Sequence, residues 1–397
     1  MRKKLLDLIN EYGEPDALID HWGNNNFGYA IWGFKDTIEW NSKNIVQSDK
    51  QIKQSLNSLQ SRLNDWKHNN NDISAIGFIN YNFKNILYNH ISFKTHNSNI
   101  PYLFFGQPRL IKKYKIEPTN NRIVNVKLKK DLELFKDYKK KIKKIKSELK
   151  QGNVYQINYT NNKSYYLENN AFELYLSLRN NVKPKYGYYI RYNDIYILSF
   201  SPELFFIKEN NTIKTSPMKG TRKRSINIEE DRELKFELKN SIKDRAEHLM
   251  IVDLLRNDLG KIAIPGSIKV NDIFKIESFH TVHQMISNIT AKLEHDITEI
   301  DIIEALFPGG SITGAPKESA MKIIDELENY SRDIYTGSIG YIKSNGDLNF
   351  NIAIRTMTVN KENGEYPVGG GVVWDSNAKD EWDEAQLKSK IFNDIIK

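Results

Sequence analysis

No cysteine occurs in this 397-residue chain. Its absence excludes disulfides, thiolate metal sites and a cysteine nucleophile. Long apolar runs are missing too: no stretch approaches the roughly 20 residues needed to span a bilayer. The start, Met1-Arg2-Lys3-Lys4-Leu5-Leu6-Asp7, is basic but lacks the apolar stretch of a secretory signal. A cytoplasmic location is therefore expected. The sequence shows no internal repeat and no zinc-ligand spacing, and its Asn/Lys/Ile bias is compositional.

Hydrophobic content of 39% and aromatic content of 11% fit a globular chain with a large core and one to three domains. The net charge of +8 suggests nucleic acid until it is located. Residues 127–150 hold eleven lysines against four acids, which accounts for +7 of it. In the same stretch Phe135, Tyr138, Ile142, Ile145 and Leu149 recur at spacings of three and four. That is an amphipathic helix with lysines on its solvated face. No aromatic interleaving or recognition motif accompanies it, so no nucleic-acid partner is expected.

Residues 1–125 carry strands at 75–81 and 102–105 and Asn-rich loops at 24–26 and 69–71, but no recognisable chemistry. Beyond 126 the signals sharpen. Strands are expected at 152–159, at 335–343, at 349–358 and at 368–374, with a hairpin over 186–200 turning at Asn193-Asp194. Helices are expected at 229–258, 299–306, 316–328 and 379–396. Strands and helices do not alternate as βαβ units. The fold class is therefore α+β with largely antiparallel sheets.

Several segments place polar groups where chemistry can be done. Lys219 sits in Ser216-Pro217-Met218-Lys219-Gly220-Thr221-Arg222, followed by Lys223 and Arg224. Crowding by cations favours a neutral, nucleophilic lysine; alone, the segment reads as a solvated basic loop. The helix from Asp244 to Leu255 is apolar almost all round, which puts Glu247, His248 and Asp253 in or beside the interior. Glu381, Glu384 and Lys388 form one stripe that continues through Ile391 and Ile395. With Glu247, the two glutamates would offer three hard oxygen ligands, suited to Mg²⁺ rather than zinc. The alternative is an exposed i,i+4 Glu–Lys pair.

Phe307 to Lys317 is a glycine-rich loop entering a helix, with Thr313 inside it and Pro316 at the helix start. It is not a P-loop, because Ala315 follows the last glycine where lysine is required. Gly369-Gly370-Gly371 opens a strand and offers further amides. Arg355 is a cation in an apolar strand, suited to a substrate carboxylate. Glu203 follows an aromatic strand in Ser201-Pro202-Glu203, and His280 and His283 lie in Ser278 to Met285.

In this order the segments resemble the chorismate-utilising enzymes: component I of anthranilate synthase and of aminodeoxychorismate synthase, and the isochorismate and salicylate synthases. The matching segments are Tyr155-Gln156-Ile157-Asn158, Ser201-Pro202-Glu203, Lys219-Gly220-Thr221-Arg222, Arg245-Ala246-Glu247-His248, Gly309 to Lys317, Ile352 to Thr356, Gly369 to Gly371 and Glu381 to Lys388. They cover residues 127–397, which divides the chain into 1–125, an N-terminal region of the synthase fold, and 126–397, a chorismate-binding catalytic region. The resemblance implies two packed, largely antiparallel β-sheets flanked by helices, with the site between them.

Two positions distinguish the branches. Isochorismate and salicylate synthases use a lysine where Gln156 stands here. The position of Lys219 is usually alanine in anthranilate synthases and lysine in aminodeoxychorismate synthases. The resemblance is therefore closest to the aminodeoxychorismate branch, on the way to 4-aminobenzoate and folate, with anthranilate synthase component I as the nearest rival. An isochorismate synthase and a non-catalytic chorismate-binding subunit stand further off.

What the resemblance implies for the site is a set of expectations. Lys219 is the nucleophile, Glu203 the general acid, and Thr221 and His283 orienting groups. Gln156, Thr313, Arg355, Gly369, Gly370, Gly371 and Lys388 contact substrate. Glu247, Glu381 and Glu384 hold Mg²⁺. Ammonia comes from a separate glutamine amidotransferase subunit or is used as free ammonium, because the cysteine needed to release it from glutamine is absent here. Met218 and Trp374 depart from the residues usual at their positions.

Overall fold

The structure is a computed structural model that describes residues 4–23, 27–41, 48–68, 71–119, 124–168, 170–279 and 282–389. Its first elements are α1 (Leu5–Tyr12), β1 (Ala17–Asp20), β2 (Phe27–Trp40), α2 (Asp49–Lys67), β3 (Ile73–Ile79), the single turn α3 (Lys84–Leu87) and β4 (Leu103–Lys115). Next come β5 (Val126–Lys130), α4 (Phe135–Lys150), β6 (Gln156–Leu167) and α5 (Ala171–Val182). Five strands follow: β7 (Tyr186–Tyr192), β8 (Ile195–Ser201), β9 (Leu204–Glu209), β10 (Thr212–Ser216) and β11 (Met218–Lys223). Helices α6 (Ile228–Asn240) and α7 (Ile242–Leu259) precede the hairpin of β12 (Lys269–Ser278) and β13 (Val282–Lys292). Then α8 (Glu299–Leu306), α9 (Gly310–Thr313), the two-residue β14 (Gly314–Ala315) and α10 (Lys317–Leu327) lead to the last strands. These are β15 (Ser338–Lys343), β16 (Leu348–Ile352), β17 (Thr356–Asn360) and β18 (Asn363–Val372), with α11 (Ala378–Lys388) after them.

The strands pair antiparallel throughout. One ladder runs β5–β6–β18–β17–β8–β7–β1–β2. A second runs β4–β3–β15–β16–β9–β10–β13, with β11 and β12 both on β13. The long pair β2–β4 joins them, and its register shifts between Phe34 and Asp36. A bulge there bends the strands and carries the ladder from one layer into the other. The fold is thus α+β, with antiparallel sheet folded back on itself.

Alternation along the strands explains the layers. Ala17, Ile19, Ile31, Ile76, Phe78, Tyr188, Ile190, Ile197 and Ile339 form a core shared by both ladders. Opposite faces take helices. Phe172, Leu174 and Leu178 of α5 and Ala385 of α11 pack with Phe200, Met357 and Val359. Leu56, Leu59 and Leu63 of α2, Ile251 and Leu255 of α7 and Ile302 and Ile303 of α8 pack with Phe205 and Phe350. Tyr138, Ile142 and Ile145 of α4 are buried against Ile324 and Val372, so the lysines fall on the solvated face as the periodicity predicts.

Helices α8 and α10 and the β7–β8 hairpin lie where the sequence puts them, with Asn193 left-handed at the turn (φ 51°). Other boundaries differ. The helix expected over 229–258 is two helices, because Ser241 breaks it and caps α7 by accepting from Asp244 N at 3.2 Å. Nor is α7 apolar all round in effect: Ile242 and Leu249 are exposed, Asp253 faces solvent, and only His248 of the three flagged polar residues is fully buried. The strand expected over 349–358 is interrupted at 353–355. Gly369 to Gly371 close β18 rather than open a strand. Lys219 lies on β11 rather than in a loop. The helix end, with Ile391 and Ile395, and His280 lie outside the described residues. Segments 1–125 and 126–397 share both ladders, through β1–β7 and β3–β15.

Candidate active site

One cavity of about 370 Å³ opens between the two ladders. Its walls come from β6 and β18 on one side, from β11 and α7 on the other, and from α11, Ser311 of α9 and the loops at Glu203 and Arg355. Five cations (Lys219, Arg222, Lys243, Arg355, Lys388) and five carboxylates (Glu203, Asp244, Glu247, Glu381, Glu384) line it.

Lys219 is aimed by a bulge. The β11–β13 register shifts between Lys219 and Thr221, with Gly220 left-handed (φ 69°) between them. A bulge re-aims the side chains beside it, and a Cβ at Gly220 would come within 2.9 Å of Leu238. The expected crowd of cations is not what surrounds Lys219. Its Nζ lies 3.0 Å from Glu247 Oε1, and both side chains are largely buried. The neighbouring Arg222 takes Asp244 at 3.1 Å and Glu237 at 2.9 Å. Thr221 also lines the cavity, at its exposed side.

Glu203 is 6% exposed, in the turn between β8 and β9. Ser201 Oγ fixes the turn, donating to Ile352 O at 2.6 Å and accepting from Glu203 N at 3.1 Å. Burial pushes the carboxyl up to about 7. A bond from Ser311 Oγ at 2.8 Å and the charges of Lys219 and Lys388 act against burial without overcoming it.

Arg355 sits between β16 and β17 with φ 50°. A left-handed non-glycine costs of order 1–3 kcal/mol and persists only where its surroundings fix it. Here Phe200 N–H donates to its carbonyl at 3.0 Å. Burial lowers the guanidinium below the usual arginine value, opposed by the Tyr366 phenol. Among the described residues it has no ion-pair partner, whereas Lys219, Arg222 and Lys388 do. A buried cation without a partner is costly, and an anionic ligand would remove that cost.

The three glycines form the wall opposite Lys219. Strand β17 pairs with β18 only between Asn363 and Glu365, so beyond that point one edge of β18 has no neighbouring strand among the described residues. A Cβ on Gly371 would lie 2.6 Å from Gln156 Nε2, 2.9 Å from Glu247 Oε1 and 3.1 Å from Lys219 Nζ. These three side chains therefore converge on one point. Gln156 is fully buried, and neither polar atom of its carboxamide has a hydrogen-bond partner among the described residues.

Glu381 and Glu384 flank Gly370, and Lys388 bonds Glu384 at 2.6 Å and Gly369 O at 2.9 Å. Burial raises Glu381, and the charge of Glu384 adds to the shift. Glu384 moves the other way, held down first by Lys388. No group of three or more acid or histidine side chains is drawn tightly enough to hold an ion among the described residues. The donor set still suits a hard cation: Glu247, Glu381 and Glu384 are oxygen donors on one cavity, and the like charges of Glu381 and Glu384 repel.

Two expected residues face elsewhere. His283 is buried away from the cavity, with Nε2 3.0 Å from Asp231 and Nδ1 2.9 Å from Ser278 Oγ. Thr313 donates to Gly309 O at 3.0 Å and is turned into the loop.

The sequence reading missed the frame behind the wall. Arg332 is buried and donates to Asn158 O at 2.7 Å, Ile312 O at 3.1 Å and both oxygens of Glu328 at 2.7 Å. Glu328 in turn accepts from Thr160 N and Oγ1 at 2.9 and 2.7 Å. Asn158 Nδ2 bonds Ser311 O at 2.9 Å, which ties this network to the residue holding Glu203. A glutamate four residues before an arginine was the available signal, but it reads as an ordinary helix-surface pair.

A family model described as chorismate binding enzyme matches residues 15–394. Aminodeoxychorismate synthase component 1 of Salmonella typhimurium is 42% identical over 248 residues, 62% of this chain and 55% of that protein. Anthranilate synthase component 1 of Saccharolobus solfataricus is 38% identical over 248 residues, 62% of this chain and 59% of that protein. The chain thus matches little more than half the length of these curated relatives. Anthranilate synthase component I of Streptococcus pneumoniae superposes with a TM-score of 0.78 at 24% identity, covering 92% of this chain and 91% of that one. That likeness is one of fold. No described helix is long and apolar enough to cross a membrane, which leaves β-barrels unaddressed.

Proposed function

The chain belongs to the chorismate-binding enzyme family, and from that premise we propose that it aminates chorismate at C4 as an aminodeoxychorismate synthase component I. The observation that carries the proposal is Lys219 on a cavity that also holds Glu203, a buried carboxyl with a value near 7. One is a nucleophile; the other is an acid still half protonated at neutral pH.

Lys219 attacks C2 of the ring through its side-chain nitrogen. The double bonds shift, and the C4 hydroxyl leaves as water with a proton from Glu203. Ammonia then adds at C4, the Lys219 amine departs from C2, and the proton lost by the added nitrogen returns to Glu203. The sum is chorismate plus ammonia giving 4-amino-4-deoxychorismate plus water. Arg355, free of an ion pair, binds a substrate carboxylate through its fork. Gly369 to Gly371 leave room for the ring close to the backbone, and Gln156 presents its unpaired carboxamide beside C2. Glu247, Glu381 and Glu384 would hold Mg²⁺, which when bound supplies Lewis-acid contact to a substrate carboxylate. Ammonia is taken from solution or from a glutamine amidotransferase partner, since this chain has no cysteine to release it from glutamine.

The test is mass spectrometry of products from purified protein with chorismate, Mg²⁺ and ammonium. Aminodeoxychorismate, lost in Lys219→Ala, is expected. Anthranilate instead would assign the chain to the branch of the Saccharolobus relative and leave Lys219 without a role.

A further inference from the structure

Helix α7 is attached to the sheet at two points that follow one another in the chain. Glu247 meets Lys219 on β11 at 3.0 Å, and His248 Nε2 lies 2.7 Å from Ser287 Oγ on β13. Lys219 stands opposite Met285 in the ladder, and Ser287 is two residues further along β13. Opposed residues, and residues two apart, share one face of a sheet. Lys219 and Ser287 therefore project toward α7 together. Consecutive helical residues point about 100° apart. Bonds from Glu247 and His248 to the same face thus fix the rotation of α7 as well as its height.

The His248 attachment is built around an irregularity in β12. Its register with β13 shifts between Asn271 and Lys275, so residues 272–274 stand opposite Ser287 alone. Asp272 and Phe274 are left-handed there, with φ 51° and 58°. A bulky side chain at positive φ persists only where its surroundings hold it. Phe274 N–H donates to Ser287 Oγ at 3.2 Å, which leaves the hydroxyl proton for His248 Nε2. The Phe274 ring meets the His248 ring edge-on, with centroids 5.8 Å apart, and lies under the Arg245 guanidinium at 4.6 Å. One bulge residue thus carries both the bond and the packing. His248 and Ser287 are fully buried, and His248 Nδ1 has no partner among the described residues, so the Ser287 bond alone orients that ring's polar edge. None of His248, Ser287 and Phe274 lines the cavity.

We propose that His248 is a positioning residue: through Ser287 and the Phe274 bulge it holds the rotation of α7, and with it the placing of Glu247 on the cavity, while Lys219 reacts. The inference rests on the amination proposed above for the step at which this hold is needed. Once the Lys219 nitrogen is committed to carbon, its bond to Glu247 is given up. The His248 bond lies away from substrate and is kept.

The test makes two measurements on the full chain. Hydrogen exchange of the free protein, read by mass spectrometry, should show the amides of α7 exchanging about tenfold faster in His248→Leu. Steady-state amination should show kcat lower by about 10–100-fold. In a Glu247→Gln background the same substitution should change kcat by less than about twofold, because His248 acts through Glu247. His248→Gln keeps an acceptor at the reach of Nε2 and should restore both exchange and kcat. Should leucine prevent folding, Ser287→Ala removes the same bond with a smaller change of volume. Unchanged exchange, an unchanged kcat, or a kcat loss as large in the Glu247→Gln background as in the unsubstituted one overturns the positioning role. If the unsubstituted chain aminates nothing, the amination falls, and exchange in α7 still decides for or against the hold by His248.

Discussion

At Glu203 burial shares the carboxyl between acid and anion near neutral pH. The fold therefore holds a proton that the unfolded chain, with an ordinary value of 4.5, has lost. Between those two values the native state binds more protons than the unfolded state, so stability falls as pH rises from 4.5 through 7. Glu203→Gln should remove that slope and stabilise the protein at pH 8 by about 3 kcal/mol relative to pH 4. It should also lower kcat by roughly 10²–10⁴. Melting curves at both pH values check the first half; equal shifts at each would refute the account of burial. Two glycines separate function from folding in the same way. In Gly369→Ala the new Cβ meets Tyr159 O, an immovable backbone atom, at 2.2 Å. In Gly371→Ala it meets the ends of Gln156, Glu247 and Lys219. The first variant should lose stability, by about 1–3 kcal/mol for overpacking. The second should melt normally but turn over poorly. Denaturation midpoints beside kcat decide between them.

Elements show which information the sequence holds openly. Amphipathic spacing located α4, because that helix buries one regular face. Periodicity could not register the break at Ser241, since helical spacing continues across it and only the cap bond reveals the restart. Nor could it register the interruption at Arg355, whose φ is set by a partner on another strand. The residue types at the site were legible at Lys219, Glu203, Glu247 and Arg355, but the partners were not. Glu247 reaches Lys219 from a helix, and the cations beside Lys219 in sequence turn to other acids. Arg332 escaped notice because its value lies in two carbonyls that no side-chain pattern announces. Arg332→Met would leave Glu328 buried without its cation, at a cost of about 3–5 kcal/mol. Pairing it with Glu328→Leu should recover most of that loss without restoring kcat, because Asn158 and Ile312 stay untied. Thermal melts and kcat of the single and double variants test this.

At the scale of the whole molecule, the joined ladders make the first 125 residues part of the architecture. Strand β1 lies between β2 and β7, and β3 between β4 and β15. Residues 126–397 expressed alone would expose both strand edges and the Ile197–Ile339 side of the core. They should therefore show no cooperative melting, which calorimetry would reveal directly. The same pairing governs assembly in time. Strand β18, which carries the glycine wall, comes long after β6 in the chain, yet it must pair with it, joining Tyr159 to Gly370, more than 200 residues on. Contacts so distant along the chain close slowly, after the entropy of a long loop has been lost. A nascent chain on the ribosome would thus hold Lys219 and Glu203 long before it had a cavity for them. The late arrival of β18 is what turns a set of reactive side chains into a vessel.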